Sequence, residues 1–572
     1  MNRRTIAAIA AGALAFRLAL MVVRGDYIVY DEGYYLLLAR SVGAGAGFAL
    51  NGLPHAALSP LQPLMVAALT LPGVPDLWVS RLMGALSSAL LIVPVMAVTR
   101  RLVSDRAALA AGLLVAAAPA LMSFTPFFPG RSWNLYFGTE PLYLLAVLSA
   151  TAIGMEAVAS GSVWRYAATG ALAAAAYLCR AEGIVAAPLI FLAMAGDLMR
   201  RRVPWREWRR FAIAALVAVL TVAPYVAYLR TTLGRWAFSG RVQAASRGDR
   251  PTPTTREAAR HGGSVLEDFV WRGNVGRFTS ELHRLAPDGS RMASQYWGVV
   301  RDEQGTSPEQ PAARHTGPAA IDSGVPIGTT ALPPMSTLAG LWRGLRAVMP
   351  LWFMVLGIAG LALWARKADA LWLAPVAAAA VIPVLFSYIE PRVLLGLVPL
   401  TAIGAGCLAV AAGEQLARHF GVRHAWSAVP ALLALLLVWP AVRDGLDARS
   451  NRTPLQQVAT AQRAVGHWLN DNLPPNALVM SWHPAIAIWA RRDWRVLPED
   501  SLARIVNYAR RLGVGAIVLS RVNPSPIADL PRPFTVLLLD SASVLPDGAG
   551  LSVEPVFTAP LLFVGRLPGP SR

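Results

Sequence analysis

Long apolar runs recur between residues 5 and 442, and they constrain the fold more than any other feature of the chain. A run of about 18 or more apolar residues is long enough to cross a bilayer. Inside the hydrocarbon the backbone must satisfy its own hydrogen bonds, so repeated runs of this kind imply a bundle of helices. The runs lie at residues 5–23, 77–98, 107–122, 140–159, 164–178, from Gly183 to Met199, and at 211–229, 345–364, 371–386, 393–412 and 429–442. That predicts an α-helical polytopic membrane protein with about eleven transmembrane helices. Composition agrees. The chain is 55% hydrophobic and 15% charged, where a soluble protein carries roughly a quarter charged residues.

Sides can be assigned by alternating at each run. Arg3 and Arg4, then Arg100, Arg101 and Arg106, then Arg165, the cluster from Arg200 to Arg210, Arg366 with Lys367, and Arg418 with Arg423 all fall on one face. Basic residues in short loops mark the cytoplasmic side. The first run is read as an uncleaved span with a cytoplasmic amino terminus. The same bias accounts for the net charge of +19, and no nucleic-acid recognition motif accompanies it. Lys367 is the only lysine, an arginine usage that fits a GC-rich bacterial genome, and the expected location is a bacterial inner membrane. Cys179 and Cys407 both lie in apolar runs, which leaves neither a disulfide framework nor a cysteine zinc site.

The remaining segments fall on the other, extracytoplasmic face. They are a loop at 24–76, a long polar segment at 230–341 rich in Gly, Pro, Ser and Arg, and a tail at 443–572. Within the loop, residues 34–42 suit a short helix at the membrane interface. The piece after Pro63 is too short and proline-bound to span. Residues 1–442 are therefore read as one membrane domain. In the tail, helical patterns at 455–469 and 501–512 alternate with strand-like stretches at 477–480, 515–520 and 534–539. Alternating helix and strand implies a small α/β domain. No glycine-rich phosphate loop opens either helix.

The outer turns collect Asp31, Glu32, Tyr34, Tyr35, His55, Arg131, Trp133, Tyr136, Glu140, Arg180, Glu182, Glu390 and Arg392. Polar and aromatic residues normally gather at span ends. The adjacent acids Asp31 and Glu32 stand apart, because paired acids at a membrane face repel each other unless they are paired or used. A carboxylate there can take a proton from an acceptor hydroxyl or amine. Arginine or histidine can hold a phosphate as it leaves, and aromatic rings can floor a sugar. One-step displacement at a sugar carbon inverts the anomeric centre and needs one base, unlike the acid and nucleophile pair of a retaining glycosidase.

Several stretches carry a resemblance to a known class. They are Asp31-Glu32-Gly33-Tyr34-Tyr35 after the first run, the Pro-rich stretch from His55 to Pro63, Gly138-Thr139-Glu140-Pro141-Leu142-Tyr143, Cys179-Arg180-Ala181-Glu182-Gly183, the stretch from Leu233 to Arg241, and Glu390-Pro391-Arg392. In order and placement the chain resembles the GT-C class of integral-membrane glycosyltransferases. It is most similar to the bacterial branch with the aminoarabinose transferase and protein O-mannosyltransferase families. The resemblance implies a polyprenyl-phosphate-linked sugar donor and a lipid, glycan or protein acceptor. It makes Asp31 the base or the residue that positions the acceptor. Glu32 is its partner, Glu140 a second acid, and Arg180, Arg241 or Arg392 the phosphate partners. Some relatives carry a lysine in the Pro-rich stretch, where this chain has His55 and Ser59. No cofactor is implied, although Asp31, Glu32 and His55 are hard ligands that suit a divalent cation.

Two other readings remain open. A transporter or flippase of lipid-linked glycans would put working charges near span midpoints, and Arg17 is the main such charge. No internal repeat of the transporter kind is found. A non-catalytic assembly protein would instead act through the tail.

Overall fold

In a computed structural model of the chain, the residues described are 3–24, 28, 30–50, 52–70, 74–121, 139–234, 236–239, 283–285, 292–296, 299–301, 342, 345–346, 348–364, 368–386, 391–422, 424–449, 454–481, 483–498, 502–520, 534–538, 554–559 and 562–566. Among them, seven helices are long and apolar enough to cross a membrane: Arg3–Val22, Asp76–Leu102, Thr139–Ser160, Gly183–Arg200, Trp205–Leu233, Leu394–Phe420 and Ala425–Arg443. Four of the expected spans are helical but shorter, namely Asp105–Ala117 (13 residues), Val163–Cys179 (17), Leu351–Trp364 (14) and Ala374–Phe386 (13). At about 1.5 Å per residue these fall short of a hydrocarbon core about 30 Å thick. The expected total of eleven counts these four with the seven.

Contacts divide the chain into two compact units. One comprises Met1–Gly25, Ser59–Tyr228 and Ala331–Ser450, and the other Asp26–Leu58, Leu229–Thr330 and Asn451–Arg572. The first unit holds helices α1 (Arg3–Arg24), α3 (Leu61–Leu69), α4 (Asp76–Leu90), α5 (Ile92–Leu102), α6 (Asp105–Ala117), α7 (Thr139–Ser160), α8 (Val163–Cys179), α9 (Gly183–Arg200), most of α10 (Trp205–Leu233), α11 (Leu351–Trp364), α12 (Ala374–Phe386), α13 (Leu397–Phe420) and α14 (Ala425–Arg449). Prolines and caps set several of these boundaries. Pro94 cannot donate to Leu90, and the span breaks at Leu91 between α4 and α5. Pro399 acts in the same way at the change from the 3-10 turn Pro391–Gly396 to α13. Ser104 caps α6 by accepting the Ala107 N–H at 3.2 Å. Ala118, held extended before Pro119, ends it.

Small residues let the central helices approach closely. A Cβ on Gly360 would stand 1.9 Å from the Gly404 carbonyl oxygen, and one on Gly404 would stand 2.0 Å from that of Gly357. Contacts between helices in lipid depend on such close packing, since lipid tails are as apolar as leucine. The outward faces of α10 (Leu216, Val219, Leu220) and α14 (Leu432, Leu435, Leu436, Trp439) are exposed leucine-rich surface of the kind a bilayer covers. Arg17 is fully buried. Its guanidinium donates to the carbonyls of Ala13 (3.1 Å), Ala116 (3.4 Å) and Val115 (3.5 Å). The last two lie at the carboxy-terminal end of α6, where carbonyls lack helical partners and the helix dipole favours a cation. The main charge expected at the middle of a span thus joins α1 to the end of α6.

The second unit contains helix α2 (Tyr30–Gly43) and the short hairpin β1 (Ala49–Leu50) and β2 (Leu53–Pro54). It also contains an antiparallel meander of β3 (His283–Leu285), β4 (Met292–Tyr296) and β5 (Val299–Arg301). The tail supplies helices α15 (Pro454–Asn472), α16 (Ala485–Ala490) and α17 (Leu502–Arg511). Its strands are β6 (Leu478–Ser481), β7 (Asp493–Val496), β8 (Val514–Ser520), β9 (Phe534–Leu538), β10 (Glu554–Ala559) and β11 (Leu562–Arg566). They form one mixed sheet in the order β10-β11-β9-β8-β6-β7. β6 runs parallel to β7 and β8, and β9 runs antiparallel to β8. The expected strands at 477–480, 515–520 and 534–539 correspond to β6, β8 and β9. The meander, β7 and the β10–β11 pair were not expected. Val479, Met480, Ile505, Tyr508, Ile517 and Val518 fill the core beside the sheet.

His483 is buried just before α16, its Nδ1 accepting the Ala485 N–H at 3.1 Å. Burial pushes it from 6.5 down to about 3. The folded ring is therefore neutral, and below about pH 6.5 the unfolded chain binds a proton that the native state does not. Stability should be full above that pH and decline as pH falls toward 3, by roughly 5 kcal/mol at the limit. Asparagine keeps an acceptor for Ala485 and cannot titrate. Thermal unfolding of the detergent-solubilised protein at about pH 7 and about pH 4 should show a larger loss for wild type than for His483→Asn. Equal losses would remove His483 as the cause.

Candidate active site

Three successive antiparallel helices bring the amino terminus of α7, the carboxy terminus of α8 and the amino terminus of α9 to one end of the first unit. Thr139 and Glu140 open α7, Pro141 following in the first turn where its missing N–H costs nothing. Arg180 leaves α8 in an extended conformation (φ −150, ψ 140), its N–H still donating to Ala176 O at 3.1 Å. The chain then turns within three residues, and Gly183 N–H donates to Arg180 O at 2.9 Å. A Cβ on Gly183 would stand 2.4 Å from Tyr177 N and 2.5 Å from Ala176 C, so only glycine fits this turn.

The turn aims Arg180 at two carboxylates. Its Nη1 donates to Glu140 Oε1 and, at 3.2 Å, to Thr139 Oγ1. Its Nη2 and Nε donate to the two oxygens of Glu182, at 3.0 and 3.3 Å. That is the fork geometry in which arginine binds a carboxylate most strongly. The side chains of Arg180 and Glu140 are 9% and 7% exposed, and that of Glu182 is 20% exposed. One cation thus stands between two acids, with Glu182 the more accessible. Glu182 makes no side-chain cap to α9, consistent with its pairing to Arg180. One turn along α7 from Glu140, on the same face, the Tyr143 hydroxyl is buried without a hydrogen-bond partner and within electrostatic reach of Arg180 and Glu182. A buried hydroxyl left unpaired is costly.

The other expected site residues distribute as follows. Asp31 lies in the first turn of α2, in the second unit; its side chain is outside the described residues. Glu32 is fully buried in the same turn. Tyr34 is buried with its ring 5.5 Å from that of Trp494, and Tyr35 is buried. His55 is buried; its Nε2 accepts the Leu58 N–H at 3.1 Å and its ring lies edge-on to Phe48 at 6.1 Å. Arg131, Arg241 and Glu390 lie outside the described residues, as does the side chain of Arg392. The structure therefore brings together Glu140, Arg180 and Glu182 among these residues, and adds Thr139 and Tyr143. Those two were legible only as neighbours of Glu140 in the Gly138–Tyr143 stretch. Among the described residues no three His, Cys, Asp or Glu side chains cluster closely enough to hold a metal ion.

Residues 59–228 match the family described as dolichyl-phosphate-mannose-protein mannosyltransferase. The Gly138–Tyr143 and Cys179–Gly183 stretches lie wholly inside the match, which bears out the resemblance to membrane glycosyltransferases. No curated protein sequence matches the chain. Solved structures similar to it include ArnT from Cupriavidus metallidurans bound to undecaprenyl phosphate, 16% identical over 91% of this chain and 94% of that one, with a TM-score of 0.47. Archaeal oligosaccharyltransferase AglB from Archaeoglobus fulgidus, in complex with an inhibitory peptide and a dolichol-phosphate, is 12% identical over 89% of this chain and 69% of that one, with a TM-score of 0.46. Arabinosyltransferase EmbB from Mycobacterium smegmatis is 13% identical over 98% of this chain and 45% of that one, with a TM-score of 0.35.

Removing Arg180 would take the shared cation from one buried acid, Glu140, and one partly buried acid, Glu182. Arg180→Ala is expected to cost about 3–5 kcal/mol of stability, the usual penalty for breaking a buried ion pair from one side. Arg180→Lys keeps the charge but cannot fork onto Glu182, and should fall between this variant and wild type. Thermal unfolding in detergent measures both. Wild-type stability in Arg180→Ala would mean that the cluster contributes no net interaction.

Proposed function

We propose that this protein is an inverting glycosyltransferase of a bacterial inner membrane. It moves a sugar from a polyprenyl-phosphate carrier to an extracytoplasmic lipid, glycan or protein acceptor. The observation that supports the reading is the buried Thr139–Glu140–Arg180–Glu182 cluster with the unpartnered Tyr143 hydroxyl, lying inside the stretch that matches a mannosyltransferase family. A carboxylate can accept about four hydrogen bonds, so acids already paired to an arginine can also accept from sugar hydroxyls. Tyr143 supplies a hydroxyl that a substrate oxygen would satisfy. Arg180 is engaged by two carboxylates in this structure, so its role here is to fix Glu140 and Glu182. The carrier phosphate then falls to Arg241 or Arg392.

The reaction is a single displacement. The acceptor oxygen or nitrogen bonds to the anomeric carbon as the bond from that carbon to the phosphate oxygen breaks. The acceptor proton passes to Asp31, and polyprenyl phosphate leaves with the bonding electrons. Arg17, the charge that favoured a transporter, bonds carbonyls at the end of α6, which supports a structural role for it.

Transfer from radiolabelled undecaprenyl-phosphate mannose to membranes of a strain lacking the gene tests the reading, with envelope glycans of that strain analysed by mass spectrometry for the unmodified acceptor. Wild type should form a new sugar linkage. Asp31→Asn should insert normally and lose at least ~10²–10⁴-fold in rate, the scale of a general base. Near-normal turnover by Asp31→Asn would sink its assignment, and movement of the intact lipid without a new bond would favour the flippase. The chemistry as written needs no metal, so transfer should persist in EDTA. Loss of activity there would make Asp31 and Glu32 metal ligands instead.

A further inference from the structure

The helix that carries the acid pair is seated on the carboxy-terminal sheet domain. Gly33, immediately after Asp31 and Glu32, lies against Pro484: a Cβ at Gly33 would stand 2.4 Å from Pro484 Cγ, 3.0 Å from its Cβ and 3.4 Å from Ile488 Cδ1. The ring of Tyr34 lies 5.5 Å from that of Trp494. Trp494 is itself held on β7, its Nε1 donating to Ser481 O at 3.0 Å and Ser481 Oγ at 3.1 Å on β6. Two turns further along α2, Arg40 Nη2 donates to Ile488 O at 3.3 Å. The hairpin after α2 makes the same attachment. Gly52, at φ +75, leaves room for Arg495, and a Cβ there would meet the two terminal guanidinium nitrogens at 3.0 and 3.1 Å. Four contacts spread along residues 33–52 thus reach Pro484, Ile488, Trp494 and Arg495, all on or beside β7 and α16.

We infer that the carboxy-terminal α/β domain is the positioning element for the acid pair, with Gly33, Tyr34 and Arg40 as positioning residues on α2 and Pro484, Trp494 and the Ile488 carbonyl as their seat. This rests on Asp31 being the base. Asp31 is two residues from the Gly33–Pro484 contact, so a side chain at position 33 shifts the first turn of α2 and the acid with it. Displacement of a reacting group by about 1 Å can cost ~10²-fold in rate. A side chain added at Gly33 would overlap the Pro484 ring, which makes that contact the sensitive one.

The test is a pair of variants in the full-length protein, read in two independent ways. Gly33→Ala should raise deuterium uptake across residues 30–43 and lower kcat with undecaprenyl-phosphate mannose by roughly 10²-fold, with KM for that donor little changed. Adding Pro484→Gly removes both ring atoms in the way, and glycine is tolerated at a helix N-cap. The double variant should return both uptake and kcat to within a few-fold of wild type. Unchanged uptake in Gly33→Ala, raised uptake with unchanged kcat, or failure of Pro484→Gly to rescue would each overturn the proposal. A wild-type protein that transfers no sugar would defeat the transferase reading and this role for the domain with it. The exchange data would still report whether α2 is seated on the sheet.

Discussion

The pairing of one guanidinium with two carboxylates at the end of three helices is the interaction on which the candidate site depends. Arg180 can reach Glu140 because α7 and α8 are antiparallel neighbours, and can reach Glu182 because the turn between α8 and α9 is only three residues long. That turn in turn requires Gly183, where a side chain would strike the backbone of Ala176 and Tyr177. Close backbone packing therefore fixes the turn, the turn fixes the arginine, and the arginine fixes the acids. Charges in such an environment are tolerated when they are paired and hydrogen-bonded, and each charge in this cluster is.

The acid pair on α2 depends on a different support. Its helix belongs to the unit that contains the tail, and the contacts seen between them include a proline ring on a glycine, a tyrosine on a tryptophan and a charged hydrogen bond to a carbonyl. The tail is then more than an appendage to the membrane helices. Trp494 can act as a platform because its indole N–H is bonded to Ser481 on the neighbouring strand, so the sheet's own ladder holds the ring in place.

The legible and illegible parts of the chain divide along this line. Helices such as Thr139–Ser160 and Gly183–Arg200 follow from local apolarity. β6, β8 and β9 follow from apolar runs bounded by turn residues, and Glu140, Arg180 and Glu182 were legible as charges at span ends. The association of residues 26–58 with 451–572 was not. Nothing near Gly33 signals that a proline some 450 positions later lies against it, because periodicity reports which face of an element is apolar and not what covers it. β7 carries Asp493 and Arg495 beside Trp494 and Val496, a four-residue pattern too short to stand out. A tyrosine in an apolar helix is ordinarily core, so the sequence does not set Tyr143 apart; only its buried, unpartnered hydroxyl does.

Four of the acids share one kind of placement. Asp31 and Glu32 lie in the first turn of α2, Glu140 in the first turn of α7, and Glu182 at the N-cap of α9. Each position therefore lies near the positive end of a helix dipole, a favourable setting for a carboxylate worth roughly 0.3–1 kcal/mol per group. This bears on the problem that the adjacent acids posed. Two neighbouring carboxylates at a membrane face should repel, and the first turn of a helix is a setting that offsets part of that repulsion. Helix starts also carry the acids at α7 and α9, which share the Arg180 cation. The cluster around Arg180 is thus anchored by charge, while the helix that carries the acid pair is seated by packing.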